Sequence, residues 1–135
     1  MRTAVDTNVL LDVFLASAKF GAASREAIHR AHSEGSLVAC DVVWAEACGQ
    51  FRSRSAFDAA MSELQVFFDP CDAETALLAG ETWRKYRERG GRRSALVADF
   101  LIAAHALVRA DRLLTRDRGF VRRYSPRLVV LSPSE

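Results

Sequence analysis

Apolar residues along this chain come in two rhythms. Runs of three or four consecutive apolar residues alternate with longer stretches in which apolar positions recur every three or four residues. Thr3-Ala4-Val5, Leu37-Val38-Ala39, Val66-Phe67-Phe68, residues 112–115 and residues 128–131 have the first rhythm and predict five short buried strands. The second rhythm predicts a helix over 8–15 and another over 22–34, with Gly35 as its stop. Asp41 is the expected N-cap of a third helix, and Ser55 with Asp58 resembles a capping box opening a fourth, which runs through Met61 and Leu64. Asp69-Pro70 ends the strand before it, and Asp72 is placed to cap a long helix over Ala73–Glu88 that Gly90-Gly91 closes. Ser94 begins the most apolar helix, residues 95–108, which is apolar on nearly every face except at Asp99 and His105 and is therefore expected between layers. A turn over 117–119 precedes the last strand. Strand and helix alternate throughout, which argues for an α/β fold with a parallel sheet wrapped by helices. With 135 residues, half of them hydrophobic, and no repeat or linker, residues 1–135 read as a single domain.

Four carboxylates stand out against this pattern. Asp6 closes the first apolar run at a strand-to-helix junction, which in an open α/β sheet is the ligand edge. Glu46 lies between Ala45 and Ala47 in the third helix, Asp99 lies among Leu96, Val97, Phe100, Leu101 and Ile102, and Asp117 follows the fourth strand. Each has an ordinary explanation taken singly: a capping aspartate for Asp6, a solvent-facing glutamate for Glu46, a helix-dipole partner for Asp99 and a turn residue for Asp117. Jointly, three of the positions fall at the carboxyl edge of the expected parallel sheet or on helices that pack over it. Carboxylates held in apolar surroundings cost several kcal/mol each unless compensated, so a shared divalent cation is the economical reading. An all-oxygen set suits Mg²⁺ or Mn²⁺, which keep waters and take phosphate oxygens as further ligands. Thr7 and Asn8, after Asp6, are short polar residues that could ligate, hydrogen-bond a metal-bound water or cap the helix that starts there.

Charge adds a second ingredient. The formal charge of +2 is nearly balanced, yet all basic residues except Lys19 and Lys85 are arginine, the side chain suited to bidentate phosphate recognition. One basic run, Arg84 to Arg93, includes Arg92 and Arg93 just before the Asp99 helix; another, from Arg116 and Arg118 to Arg127, surrounds Asp117. A polyanion engaged by such rims binds with strong salt dependence. The first run also reads as a solvated helix face, since Arg84 and Glu88 stand four residues apart. Asp12 is expected on the solvent side of its helix, and Asp69 in a local turn role. Cys40, Cys48 and Cys71 lack the short paired spacings of zinc sites and are expected to be reduced thiols used in packing. No apolar stretch approaches the ~20 residues of a membrane span, and no signal-peptide pattern opens the chain, so a soluble, cytoplasmic protein with no membrane partner is expected.

The segments Val5-Asp6-Thr7-Asn8-Val9-Leu10, Asp99-Phe100-Leu101-Ile102-Ala103-Ala104 and Leu114-Thr115-Arg116-Asp117-Arg118-Gly119-Phe120, with Glu46 after the second strand, resemble the PIN-domain ribonucleases. More narrowly, they resemble the toxin component of VapBC-type toxin-antitoxin pairs. The resemblance spans almost the whole chain. It implies a three-layer α/β/α sandwich around a short central parallel β-sheet. It also implies a Mg²⁺- or Mn²⁺-dependent endoribonuclease inhibited by a small antitoxin protein, with RNA as substrate and a homodimer as the expected assembly. Carried over by position, the catalytic and metal-binding acids would be Asp6, Glu46, Asp99 and Asp117, with Asn8 and Thr115 as supporting polar groups and Arg92, Arg93, Arg116 and Arg118 as RNA contacts. The family more often opens the Glu46 helix with proline or a hydroxyl residue. This chain has Asp41-Val42-Val43-Trp44 there, so Asp41 competes for the role of Glu46. Two other readings stay open: an aspartate-based phosphatase or receiver domain, and a non-catalytic PIN-like RNA-binding or scaffold module. Against the first, Asn8 stands where a second aspartate is wanted and no lysine follows Lys85; against the second, all four acids are present.

Overall fold

A computed structural model describes residues 1–91 and 97–133. In chain order its elements are β1 (Arg2–Val5), α1 (Thr7–Phe14), α2 (Gly21–Glu34), β2 (Ser36–Ala39), α3 (Asp41–Cys48), α4 (Arg54–Leu64), β3 (Val66–Phe68), α5 (Ala73–Glu88), α6 (Val97–Arg109), β4 (Arg112–Leu114), α7 (Arg118–Tyr124) and β5 (Val130–Leu131). The five strands form one sheet in the order β3-β2-β1-β4-β5, and every pairing is parallel. Helices cover both faces, as a parallel sheet made of near-continuous apolar runs requires. The result is a three-layer α/β/α sandwich.

The chain leaves β1 toward β2 on one side and returns later to place β4 on the other. The ends of β1 and β4 therefore flank the point where strand order reverses, the usual crevice of an open α/β sheet. Beneath it the core is dense: Val5, Val9, Leu10, Leu37, Ala39, Val43, Ala47, Leu113 and Leu114 are essentially inaccessible to solvent, with Phe57 and Met61 of α4 packed onto the same cluster. A smaller cluster joins Ala79 and Tyr86 of α5 to Phe100 and Ala104 of α6, with Phe120 and Tyr124 of α7 packed against it. Phe100 lies 5.1 Å from the Phe120 ring, an edge-on contact that ties α7 to α6.

Several expectations hold and several need correction. Asp72 caps α5 by accepting the Thr75 amide at 2.8 Å. At α4 the capping residue is Ser53, whose hydroxyl takes the Ala56 amide at 3.1 Å, so the Ser55–Asp58 box is not the device used. Cys40 occupies the cap position of α3, and Asp41 is the first helical residue. The segment after Asp117 is the helix α7 and not a bare turn; three arginines, with Gly119 at its start, hide its short apolar face in the sequence. Gly35 does more than stop α2: a Cβ there would meet the Met1 carbonyl oxygen at 1.8 Å, and that carbonyl accepts the Ser36 amide where β1 and β2 begin to pair. Helix α6 is buried between layers as expected, with Ile102, Ala103 and Ala106 in the main core and Phe100 and Ala104 in the smaller cluster, while Val97 and Asp99 in its first turn are exposed. Its proposed start at Ser94 lies outside the described residues.

Candidate functional site

Asp6 continues β1 by one residue, its amide donating to the Leu114 carbonyl of β4 at 2.9 Å, and it caps α1. Both carboxylate oxygens are engaged: Oδ1 accepts the Thr7 amide and Oδ2 accepts the Thr115 hydroxyl, each at 2.7 Å. Thr115 is completely buried at the end of β4, and its single hydroxyl joins three segments. It donates to Asp6 and accepts the Asp117 amide at 3.0 Å, with the Asn8 side-chain amide at 3.5 Å as a weaker neighbour. Asn8 in turn accepts the Arg116 amide at 3.3 Å. The two polar residues expected to support the site thus clamp the β1–α1 junction to the β4–α7 junction.

The other acids close around Asp6. Glu46 reaches across from α3 and accepts the Thr7 hydroxyl at 2.7 Å, so Thr7 is the link between the first and second acids. Asp99, in the first turn of α6, and Asp117, capping α7, line one small cleft with Asp6, floored by Ile102, Ala103, Leu113 and Val121. Burial, with added repulsion from the charges of Asp99 and Glu46, pushes the Asp6 carboxyl up to about 6 despite its hydrogen bonds from Thr115 and Thr7. Its own neighbours are acids. Asp6 itself is half-buried, but Glu46, Asp99 and Asp117 are exposed, which corrects the expectation that all four sit in apolar surroundings. What unites them is proximity.

Asp41 is not in this group. Its Oδ1 accepts the Cys71 amide at 3.0 Å, on the β2–β3 side of the sheet, so the geometry favours Glu46 in the contest between them. Asp12 is buried and not solvent-facing: it accepts the Ser24 hydroxyl at 2.7 Å and is gripped by Arg116 at 2.7 and 3.1 Å. The Arg116 guanidinium also lies over the Phe20 ring, 4.0 Å from its centre, and so is occupied within the fold. Arg118 is exposed beside Asp117, and Arg92 and Arg93 lie outside the described residues. The anticipated Arg84–Glu88 pair is present at 3.9 Å on an exposed face.

A second ionic centre escaped the sequence reading. Asp69, expected in a local turn, is buried and accepts from Arg109 at 2.8 and 2.9 Å, from His105 at 2.8 Å and from Arg2 at 2.9 Å. These partners hold its carboxyl well below the usual range, the Arg109 hydrogen bonds contributing most. A signal did exist, since His105 and Arg109 are four apart on one helix face. Their acid, however, comes from a different element.

The model of the PIN domain matches residues 3–125. The chain belongs to the PIN domain family. No curated protein sequence matches it significantly. Among solved structures it is similar to the crystal structure of VapBC2 from Rickettsia felis bound to a DNA fragment from their promoter, at 16% identity and a TM-score of 0.76 over 99% of this chain and 100% of that one. It is also similar to VapBC-1 from nontypeable Haemophilus influenzae, at 19% identity and a TM-score of 0.73 over the whole of both chains. A toxin-antitoxin complex from Klebsiella pneumoniae matches at 18% identity and a TM-score of 0.68 over 98% of each chain. At such identities the likeness is one of fold. In this fold Asp6, Asp99 and Asp117 line one cleft, and Asp6 lies at the strand-order reversal.

Proposed function

We propose that this PIN domain is a metal-dependent endoribonuclease acting as the toxin of a type II toxin-antitoxin pair. The observation that carries the reading is the convergence of Asp6, Glu46, Asp99 and Asp117 from four segments onto the reversal point of the sheet. The donor set is all oxygen and the central acid is disfavoured by its acidic neighbours, both of which fit a hard divalent cation, Mg²⁺ or Mn²⁺. Asp6, Asp99 and Asp117 would hold it, with Glu46 at the α3 side. When bound, such a cation lowers the pKa of a water and neutralises charge on a phosphodiester undergoing attack.

The chain's own residues do the positioning. Thr115 fixes the Asp6 carboxylate and the Asp117 backbone together, so these acids share one orientation. Thr7 does the same for Asp6 and Glu46, donating its amide to one and its hydroxyl to the other. Exposed Glu46, Asp99 and Asp117 leave the cleft open to a long substrate, which suits RNA better than a small phosphoester. Arg118, with Arg92 and Arg93, supplies positive charge for the RNA backbone, whereas Arg116 is committed to Asp12. Asn8 faces Thr115 and the Arg116 amide, which leaves an aspartate-phosphate mechanism without a second acid at that position.

The likeness to chains from VapBC complexes supports a small antitoxin as partner, and phenylalanines Phe67 and Phe68, exposed on edge strand β3, are apolar surface that such a partner or a second copy would cover. A homodimer in the cytoplasm completes the reading; among the described residues no helix is long and apolar enough to cross a membrane. The deciding experiment is cleavage of a broad set of structured RNAs by purified protein, free of antitoxin, with Mn²⁺. Cleavage abolished by chelator and by Asp99→Asn supports the proposal. Intact RNA, together with growth arrest that Asp99→Asn does not relieve, rejects it.

A further inference from the structure

The carboxyl edge of the sheet carries a second cluster of ligating side chains, and its chemistry differs from the first. Cys40 follows β2 and Cys71 follows β3, whereas Asp6 and Thr115 follow β1 and β4. The sulfurs of Cys40 and Cys71 and a carboxylate oxygen of Asp41 all lie within 4.8 Å of one another. In a tetrahedral zinc site, with Zn–S about 2.3 Å and Zn–O about 2.0–2.2 Å, neighbouring ligand atoms stand roughly 3.5–3.8 Å apart. Side-chain movements of about an ångström therefore close the set around one ion.

The surroundings already hold these groups in place. The Cys71 amide donates to Asp41 Oδ1 at 3.0 Å, which orients one ligand with the backbone of another and leaves the remaining carboxylate oxygen to bind. Burial raises the Cys40 thiol, and the backbone amides of Val42 and Val43, in the first turn of α3, face its sulfur and offset part of that cost. Cys40 is buried, Cys71 half-buried and Asp41 exposed, so a fourth position faces solvent. Two thiolates select a soft cation; an Mg²⁺ site would use oxygen alone.

We propose that Cys40, Asp41 and Cys71 form a second metal site, separate from the acidic cleft, which takes a thiophilic divalent cation, Zn²⁺ in the first instance. Occupancy ties α3, the helix that carries Glu46, to the segment between β3 and α5. Each thiol gives up its proton on ligation, so binding competes with protonation. The site would therefore stiffen the helix that carries Glu46 without contributing to the acidic cleft.

Co²⁺ is the probe, titrated into the full-length chain kept reduced with a phosphine. The expected result is one equivalent bound with the intense near-ultraviolet absorption of cobalt–thiolate charge transfer, displaced by Zn²⁺. The band persists in the Asp6→Asn, Asp99→Asn double variant, so this result does not depend on the nuclease reading. Cys71→Ser removes the band or weakens binding roughly tenfold or more, Asp41→Asn weakens it while keeping both thiols, and Cys48→Ser, outside the cluster, leaves it intact. Circular dichroism confirms that each variant is folded, and Asp41→Asn serves if Cys71→Ser is not. Absence of the band in wild-type protein whose three thiols titrate as free overturns the proposal, as does a band unchanged by both Cys71→Ser and Asp41→Asn.

Discussion

Asp6 and Asp69 are the same side chain one residue beyond a strand, yet the fold treats them in opposite ways. Asp69, beyond β3, is surrounded by Arg109, His105 and Arg2, and its carboxyl is held well below the ordinary range. Asp6, beyond β1, has Asp99 and Glu46 for charged neighbours, and its carboxyl is pushed up to about 6. Among the described residues no arginine, lysine or histidine forms an ion pair with Asp6, Glu46 or Asp117, whereas Asp69 takes three. Burial is the largest cause of the rise at Asp6 and the neighbouring acids add to it, whereas at Asp69 the arginine and histidine partners outweigh burial. Asp69 carries its counter-charge within the protein and holds α6 against the strand edge.

This contrast can be broken most forcefully at the acidic cleft. Asp99→Asn should lower RNA cleavage roughly 100-fold or more, about 3 kcal/mol of transition-state stabilisation, while thermal stability without metal stays unchanged or rises. Initial rates with Mn²⁺ and a melting curve in chelator measure both. A stability loss with cleavage intact would place Asp99 in the class of Asp69.

At Asp69 the expected effect is on stability. Asp69→Asn leaves Arg109, His105 and Arg2 facing a neutral amide in a buried site, and should destabilise the fold by about 3 kcal/mol in urea denaturation. The folded carboxyl lies below its unfolded value, so its contribution is present above pH about 4 and is lost as pH falls further. The variant and wild-type midpoints should therefore converge under acid.

The metal-free behaviour of Asp6 should have the opposite sign. A folded value of about 6 against an unfolded value near 4 means that ionisation opposes folding, a penalty absent below pH about 4 and complete above about 6. Asp6→Asn should then stabilise the chelated protein by about 1 kcal/mol at pH 7.5, less than the full shift because the amide offers one acceptor where Thr7 and Thr115 now use two. The gain should vanish near pH 4. A loss at pH 7.5 would show that burial and the neighbouring acids do not disfavour the ionised Asp6 carboxyl.

The smallest effect sharpens the comparison among the arginines. Arg118→Ala should weaken RNA binding by about 1 kcal/mol and reduce the slope of log affinity against log salt by about 1, measured by filter binding at several salt concentrations. Arg116→Ala should instead act through stability, because it leaves Asp12 buried with only Ser24 as partner.

Much of this was legible in the chain. Apolar runs of three and four residues marked all five strands, and the order of helix and strand implied a parallel sheet, because those patterns are local and each residue reports on its own element. The short helix α7 was missed because its seven residues hold one fully buried position, Val121, beside the half-buried Phe120 and Tyr124, and the α4 cap moved from Ser55 to Ser53 because two serines in a row of polar residues satisfy the same local rule. The four acids were legible as a group only through their motifs. Their apolar sequence neighbours suggested burial, but in the first turn of α6 Asp99 is exposed together with Val97, while Phe100 and Ile102 are buried.

By itself, then, the sequence determined the elements, their α/β order and the candidate acids, since hydrophobic period and short motifs are properties of neighbouring residues. Only the tertiary structure decided which charges meet. It brought Arg116 to Asp12, His105 and Arg109 to Asp69, Glu46 to Thr7, Asp41 to the Cys71 amide, and Cys40 to Cys71. Electrostatic and ligand interactions fall off over a few ångströms of space and take no account of separation along the chain, so they are settled only once the sheet order has set which strand ends are adjacent.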